Sequence, residues 1–127
     1  MADSIYVVDN GLGIITNRIM GAGTEPKYIG WGTGTTPATP ADTGLQTPGS
    51  EARVAGTSSR VQTSTANDTY QVVGTITCSG SAKAITEVAL YDAATSGTCF
   101  LHGTFSPINV NVGDSIQFTI KCVFNQG

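Results

Sequence analysis

The stretch that decides the fold is residues 112–125, VGDSIQFTIKCVFN, near the C-terminus. A turn at residues 112–114 is followed by apolar side chains at every second position, with mostly polar side chains between them. Successive side chains of a strand point to opposite faces, so this alternation predicts a strand with one buried and one wet face. Such a strand is typical of an antiparallel sheet over a core. The apolar positions are Ile116, Phe118, Ile120, Cys122 and Phe124, and the polar ones are Gln117, Thr119, Lys121 and Asn125.

The composition favours the same fold class. The chain has 127 residues, of which 39% are hydrophobic and only 12% are charged, about half the usual charged share. Its 16 Gly and many Thr and Ser residues suit strands joined by turns. The length predicts a single domain. We therefore expect a mainly β protein, an antiparallel β-sandwich or barrel-like domain of roughly seven strands with one short N-terminal helix.

The single domain, residues 1–127, divides into three segments. Residues 1–26 are predicted to form an N-terminal arm and the short helix, and residues 27–50 a strand followed by a loop rich in Pro, Thr and Gly. Residues 51–127 are predicted to form the β-sandwich. Within these segments, strands are expected at residues 27–32, 51–65, 69–79, 84–92 and 98–105, together with the strand after residue 114.

The helix is predicted over residues 11–20. Leu12, Ile15 and Ile19 recur at a spacing that places them on one face. We expect this apolar stripe to pack on the sandwich or on another subunit.

The loop at residues 33–49 contains three prolines, so it cannot be a central strand. Connections of this length are usually functional or disordered. A single helical turn is expected at residues 41–45, with Leu45 packing inward.

No catalytic or cofactor site is predicted, and the chain is not expected to be an enzyme. His102 is the one His, and with Phe100 and Thr104 it is expected to face solvent or another subunit. No nucleophile-elbow sequence G-x-S-x-G is present, and the carboxylates are scattered along the chain.

The three cysteines, Cys78, Cys99 and Cys122, are in phase with apolar neighbours and are predicted to be buried free thiols. A metal site at Cys99 and His102 would lack the second pair of ligands that structural zinc needs. No metal site is therefore predicted.

The charge limits the partners. A net charge of −3 and a pI of about 4.7 argue against direct binding of nucleic acid, which needs clustered Lys or Arg. No apolar run reaches the roughly 20 residues of a membrane span, and no signal peptide is visible.

Two parts of the sequence resemble a family of small structural proteins of tailed bacteriophages. The first comprises residues 27–36 (KYIGWGTGTT), the Pro-rich stretch and residues 42–45 (DTGL). The second comprises residues 85–94 (ITEVALYDAA), Gly97, residues 104–107 (TFSP), residues 112–115 (VGDS) and the last strand. The closest similarity is to capsid decoration, or cement, proteins.

The resemblance implies a homotrimeric β-sandwich that binds major capsid proteins and stabilises the capsid. It would be made in the host cytoplasm and would lie on the outer capsid surface of the virion, with no cofactor, nucleic acid or membrane as partner. A tail fibre or baseplate module and a carbohydrate-binding β-sandwich are the alternatives. Head-wide labelling of virions is expected for the cement protein.

The arm and the loop are the expected contact segments. For Trp31, ordinary packing under a loop is an equal alternative to an interface role. The candidate interface residues are Ile5, Tyr6, Val7, Val8, Trp31 and Leu45.

Overall fold

The computed structural model describes residues 3–126, which form eight strands and one helix. The helix, α1, spans Asp9–Ile19. The strands are β1 Ser4–Val7, β2 Tyr28–Gly32, β3 Val54–Ala55, β4 Thr57–Val61, β5 Thr69–Thr77, β6 Lys83–Tyr91, β7 Cys99–Val110 and β8 Ser115–Val123.

The strands form two antiparallel sheets, so the predicted β-sandwich is confirmed. The five-stranded sheet has the order β1-β7-β6-β2-β3, and the three-stranded sheet has the order β4-β5-β8. Both sheets keep open edges, so the fold is not a closed barrel. The alternation predicted for the last strand is confirmed, because Ile120 is buried while Gln117, Thr119 and Lys121 are exposed.

The strand count exceeds the expectation because the strand predicted at residues 51–65 is two strands in different sheets. The chain crosses between the sheets at Gly56, where an added Cβ would collide with the side chain of Val72. Glycine is therefore the residue that lets the chain pass this close to β5.

The main core lies between the two sheets. Ile29, Trp31 and Leu90 of the five-stranded sheet pack in one cluster with Val72 and Ile120 of the three-stranded sheet. A smaller cluster lies on the opposite face of the five-stranded sheet, which we call the outer face. Its members are Val8, Ala89, Tyr91 and Cys99, with Tyr28 and Leu45 packed against them.

The predicted apolar stripe of the helix packs on the sandwich only in part, through Ile15, and its packing on another subunit stays a prediction. Leu12 and Ile19 are 57% and 82% exposed, whereas Gly11 and Ile14 are buried. Gly11 lies against the backbone of Phe100, where an added Cβ would collide with the carbonyl group. This close approach turns the helix so that the Gly11–Ile14 side meets β7 and much of the expected stripe faces outward.

The expectation that Phe100, His102 and Thr104 face solvent or another subunit is wrong. Phe100 packs in the main core, whereas His102 and Thr104 lie on the outer face as expected but are covered by the loop at residues 33–49. Phe100, His102 and Thr104 are all buried, at 2% exposure or less. The strand lies between β1 and β6, and residues 33–49 pass over the outer face of the sheet. The expected helical turn at residues 41–45 is absent, since none of these residues is helical.

Candidate interaction surface

The loop at residues 33–49 is held on the outer face by the carboxylate of Glu87. This side chain is fully buried in the middle of β6. Its Oε1 accepts a hydrogen bond from the backbone N–H of Gln46 at 2.8 Å. Its Oε2 accepts from those of Gly34 and Thr47 at 2.9 and 2.8 Å. One carboxylate therefore fixes both ends of the loop.

His102 links Glu87 to a second carboxylate. Its Nε2 lies 2.7 Å from Glu87 Oε1 and its Nδ1 lies 2.7 Å from Asp42 Oδ2. Asp42 also accepts hydrogen bonds from the backbone N–H and the hydroxyl group of Thr39. We call these three residues the Asp42–His102–Glu87 cluster, and it joins β6, β7 and the middle of the loop.

The cluster is an ionised network at neutral pH. Burial opposes ionisation of Glu87, but the hydrogen bonds from His102 and the backbone N–H groups outweigh it and lower its pKa. Burial also opposes the charged form of His102, but its hydrogen bonds to Glu87 and Asp42 outweigh this and raise its pKa. Ionised carboxylates only accept, so both imidazole nitrogens must donate. His102 is therefore an imidazolium between two carboxylates.

Further hydrogen bonds fix the loop along its length. The Thr86 hydroxyl donates to the carbonyl of Gly34 at 2.6 Å, and the backbone N–H of Leu45 donates to the Tyr91 hydroxyl at 2.9 Å. The backbone N–H of Ala38 donates to the Thr104 hydroxyl at 3.1 Å. The loop is thus held against the sheet by hydrogen bonds at several points along its length.

A second carboxylate holds the segment that follows the loop. Glu51 accepts a hydrogen bond from Trp31 Nε1 at 2.8 Å and from the backbone N–H of Ser79 at 2.9 Å, and it pairs with Lys83. Burial opposes its ionisation, but these hydrogen bonds outweigh it and lower its pKa to about 2.

The structure separates the candidate interface residues into two groups. Ile5 and Tyr6 are 56% and 42% exposed on the edge strand β1, and adjacent strand residues point to opposite faces. Val8 and Trp31 are buried inside the chain, so their side chains are not available to a partner in this conformation. Val7 and Leu45 are half-buried, packed against the main and the smaller cluster respectively.

Sequence reasoning missed the Asp42–His102–Glu87 cluster. Its members are 60 and 15 residues apart, so no local motif joins them. One signal was available: Glu87 lies in a central strand and is followed directly by the apolar run Val88–Tyr91. A charged side chain in such a strand needs a buried partner, and the one His lies on the neighbouring strand.

The geometry of the cluster suits a structural role. Within residues 3–126, neither ring nitrogen of His102 has a hydroxyl or thiol partner that it could activate. The same residues contain no group of three or more His, Cys, Asp and Glu side chains placed to hold a metal ion. No helix in this part of the chain is long and apolar enough to cross a membrane.

The thiols are unpaired in the structure. Cys78 and Cys99 are buried and Cys122 is half-buried, and all three are free. Burial raises the pKa of Cys99 to about 11, which keeps it a thiol at neutral pH. The prediction of free thiols is confirmed, with Cys122 less deeply buried than expected.

The buried charges described above thus serve internal contacts of the β-sandwich. A family model described as podophage GP4 fiber I protein gp80 matches residues 17–123, so the chain belongs to that family. It is therefore a structural protein of the phage fibre class, which implies a place in the virion. No curated protein and no solved structure matches the chain.

The cluster predicts a pH dependence of stability. His102 has a raised pKa, so its contribution to the free energy of unfolding is complete below pH 6.5 and is lost as the pH rises through the pKa of the folded state. Glu87 has a lowered pKa, so its contribution to the free energy of unfolding is complete above pH 4.5 and is lost as the pH falls through the pKa of the folded state. Both contributions are therefore complete between pH 4.5 and pH 6.5.

Urea unfolding of the wild type and His102→Gln across this range and into alkaline pH tests the prediction. On the alkaline side, the wild type should lose free energy of unfolding more steeply than the variant. Parallel profiles would show that His102 is not an imidazolium.

Proposed function

We propose that the chain is a module of the phage tail fibre that acts by binding other proteins and not by catalysis. The observation that carries the proposal is the match of residues 17–123 to a fibre family. This match favours the tail fibre alternative over the capsid decoration protein to which the sequence was closest in resemblance.

The surfaces suit a role in assembly. Ile5 and Tyr6 expose apolar surface on the two faces of the edge strand β1, and the loop at residues 33–49, which is hydrogen-bonded to Ser4 of β1, lies beside it. Rigid elements bind at a lower entropic cost than mobile ones. The partners that we propose are other fibre proteins and further copies of this chain, and a threefold assembly stays a prediction.

Labelling of intact virions tests the location. Gold-conjugated antibody against the purified chain should decorate the tail fibres alone, and antibody first absorbed with the purified chain should decorate nothing. Labelling spread over the head would overturn the proposal in favour of a capsid decoration protein.

A further inference from the structure

The strand β8 forms an open edge of the three-stranded sheet, and half of its backbone groups point away from the protein. It pairs with β5 over nine residues without a register shift. The backbone N–H of Cys78 donates to the carbonyl of Asp114, and that of Phe124 donates to the carbonyl of Asp68. Hydrogen-bonded pairs alternate along an antiparallel ladder, so the even-numbered residues of β8 bond to β5. The residues whose N–H and C=O groups face the open edge are Ser115, Gln117, Thr119, Lys121 and Val123.

This edge lacks most of the features by which proteins block strand addition. Proteins usually block edges with short strands, prolines, bulges or charges. The other edge strands β1, β3 and β4 have four, two and five residues, whereas β8 has nine. No proline or bulge interrupts β8, and its one charged residue is Lys121. Within residues 3–126, no backbone group outside β5 bonds to β8.

We propose that β8 binds β8 of a second copy of this chain in an antiparallel pair, which joins two three-stranded sheets into one. The register with the greatest overlap places Thr119 opposite Thr119 of the second copy. Gln117 then lies opposite Lys121, and Ser115 opposite Val123. Five edge-facing residues on each strand donate one N–H each, which makes ten hydrogen bonds between the copies.

The side chains of β8 are complementary to themselves in this arrangement. Lys121 lies opposite the neutral Gln117, whereas a parallel, in-register pair would place Lys121 against Lys121. Like charges directly opposite each other are destabilising. The apolar face that includes Phe118 and Ile120 also continues into the same face of the second copy, because antiparallel pairing keeps the faces aligned.

The two ends of β8 supply an independent argument for this partner. Phe124, just after the strand, is 49% exposed, and Val112, just before it, is 59% exposed. The twofold register, continued by one residue, places Phe124 opposite Asp114 of the second copy, the last residue of the turn that contains Val112. The exposed Phe124 of one copy and the exposed Val112 of the other thus lie at the same end of the joined sheet.

The contact goes beyond the proposed function and does not depend on it. It uses one edge of the three-stranded sheet, whereas β1 and the loop at residues 33–49 belong to the other sheet and its outer face. A twofold contact at β8 can therefore link pairs of larger assemblies. The assemblies in solution should therefore have masses that are even multiples of the mass of one chain.

A cysteine pair tests the register. In a Cys122→Ala background, Thr119→Cys should form a covalent dimer on mild oxidation, because the two Cα atoms would be about 5.5 Å apart. Thr75→Cys is the matched control: it is an exposed Thr one strand further in, opposite Gln117. Three strand spacings of about 4.8 Å would separate the two copies of β5, so this variant should not cross-link. Equal cross-linking of both variants, or of neither, would overturn the proposal.

Charges at residue 117 test the contact in solution by sedimentation of the full chain. Gln117→Glu, opposite Lys121, should tighten the dimer, and Gln117→Lys should weaken it, each by about 2- to 30-fold in Kd. High salt should reduce both changes. The same substitutions at Thr75 should leave Kd unchanged. A wild-type chain that stays monomeric at every concentration, an odd-numbered assembly, or equal effects of Gln117→Glu and Gln117→Lys would overturn the proposal.

Discussion

Replacing Glu87 by glutamine will lower the free energy of unfolding by about 3–5 kcal/mol, because it removes one partner from a buried ion pair. The carboxylate has no exposed surface, and it accepts from His102 and from three backbone N–H groups of the loop. A glutamine amide has one acceptor oxygen and an NH₂ group that can only donate. In the variant, some of the buried N–H groups therefore face the NH₂ group, which is also a donor. The substitution also removes the negative charge beside His102.

Urea unfolding measures the loss, and Glu25→Gln is the control with the same chemical change. Glu25 is a partly exposed residue that accepts from the Tyr70 hydroxyl at 2.8 Å, so its loss should cost about 1 kcal/mol.

Hydrogen exchange locates the effect. In Glu87→Gln, the amides of Gly34, Gln46 and Thr47 should exchange faster than in the wild type, while those in the middle of β5 should keep most of their protection. Unchanged exchange at the three loop amides would show that Glu87 does not hold the loop.

The last strand was predictable because its signal is local. Ile116, Phe118 and Ile120 alternate with polar residues, and the single face they share is the one that packs on the core. His102 shows the limit of the same reasoning. Alternation tells which residues of β7 share a face, but whether that face is covered depends on Asp42 and the loop, 60 residues away in the chain.

The helix shows a second limit. A hydrophobic stripe assumes that large apolar side chains make the contact, and Leu12, Ile15 and Ile19 fit that assumption. In the structure, Gly11 lies directly against β7, where the backbone of Phe100 leaves no room for a side chain. A close contact made by a glycine does not appear in the hydrophobic periodicity of a sequence. The orientation of this helix therefore follows only from the structure.

Replacing Trp31 by alanine will lower the free energy of unfolding by about 3–5 kcal/mol, which is the usual cost of removing a buried aromatic side chain. Trp31 is 2% exposed in the main core, and its ring meets that of Phe118 edge to face at a centroid distance of 6.5 Å. The substitution also removes the donor to Glu51 Oε1, a carboxylate whose side chain is 5% exposed. Loss of core packing and loss of a hydrogen bond thus act together.

Two variants separate these contributions and test whether Trp31 belongs to the core or to an interface. Trp31→Phe keeps an aromatic ring but loses the hydrogen bond to Glu51, so it should cost less than Trp31→Ala. Tyr6→Ala removes an exposed aromatic residue of the arm and should change the free energy of unfolding by about 0.5 kcal/mol or less. Unfolding should be followed by circular dichroism, because the chain has one Trp and the variants lose its fluorescence. If Trp31→Ala is as mild as Tyr6→Ala, Trp31 is not a core residue, and an interface role is favoured again.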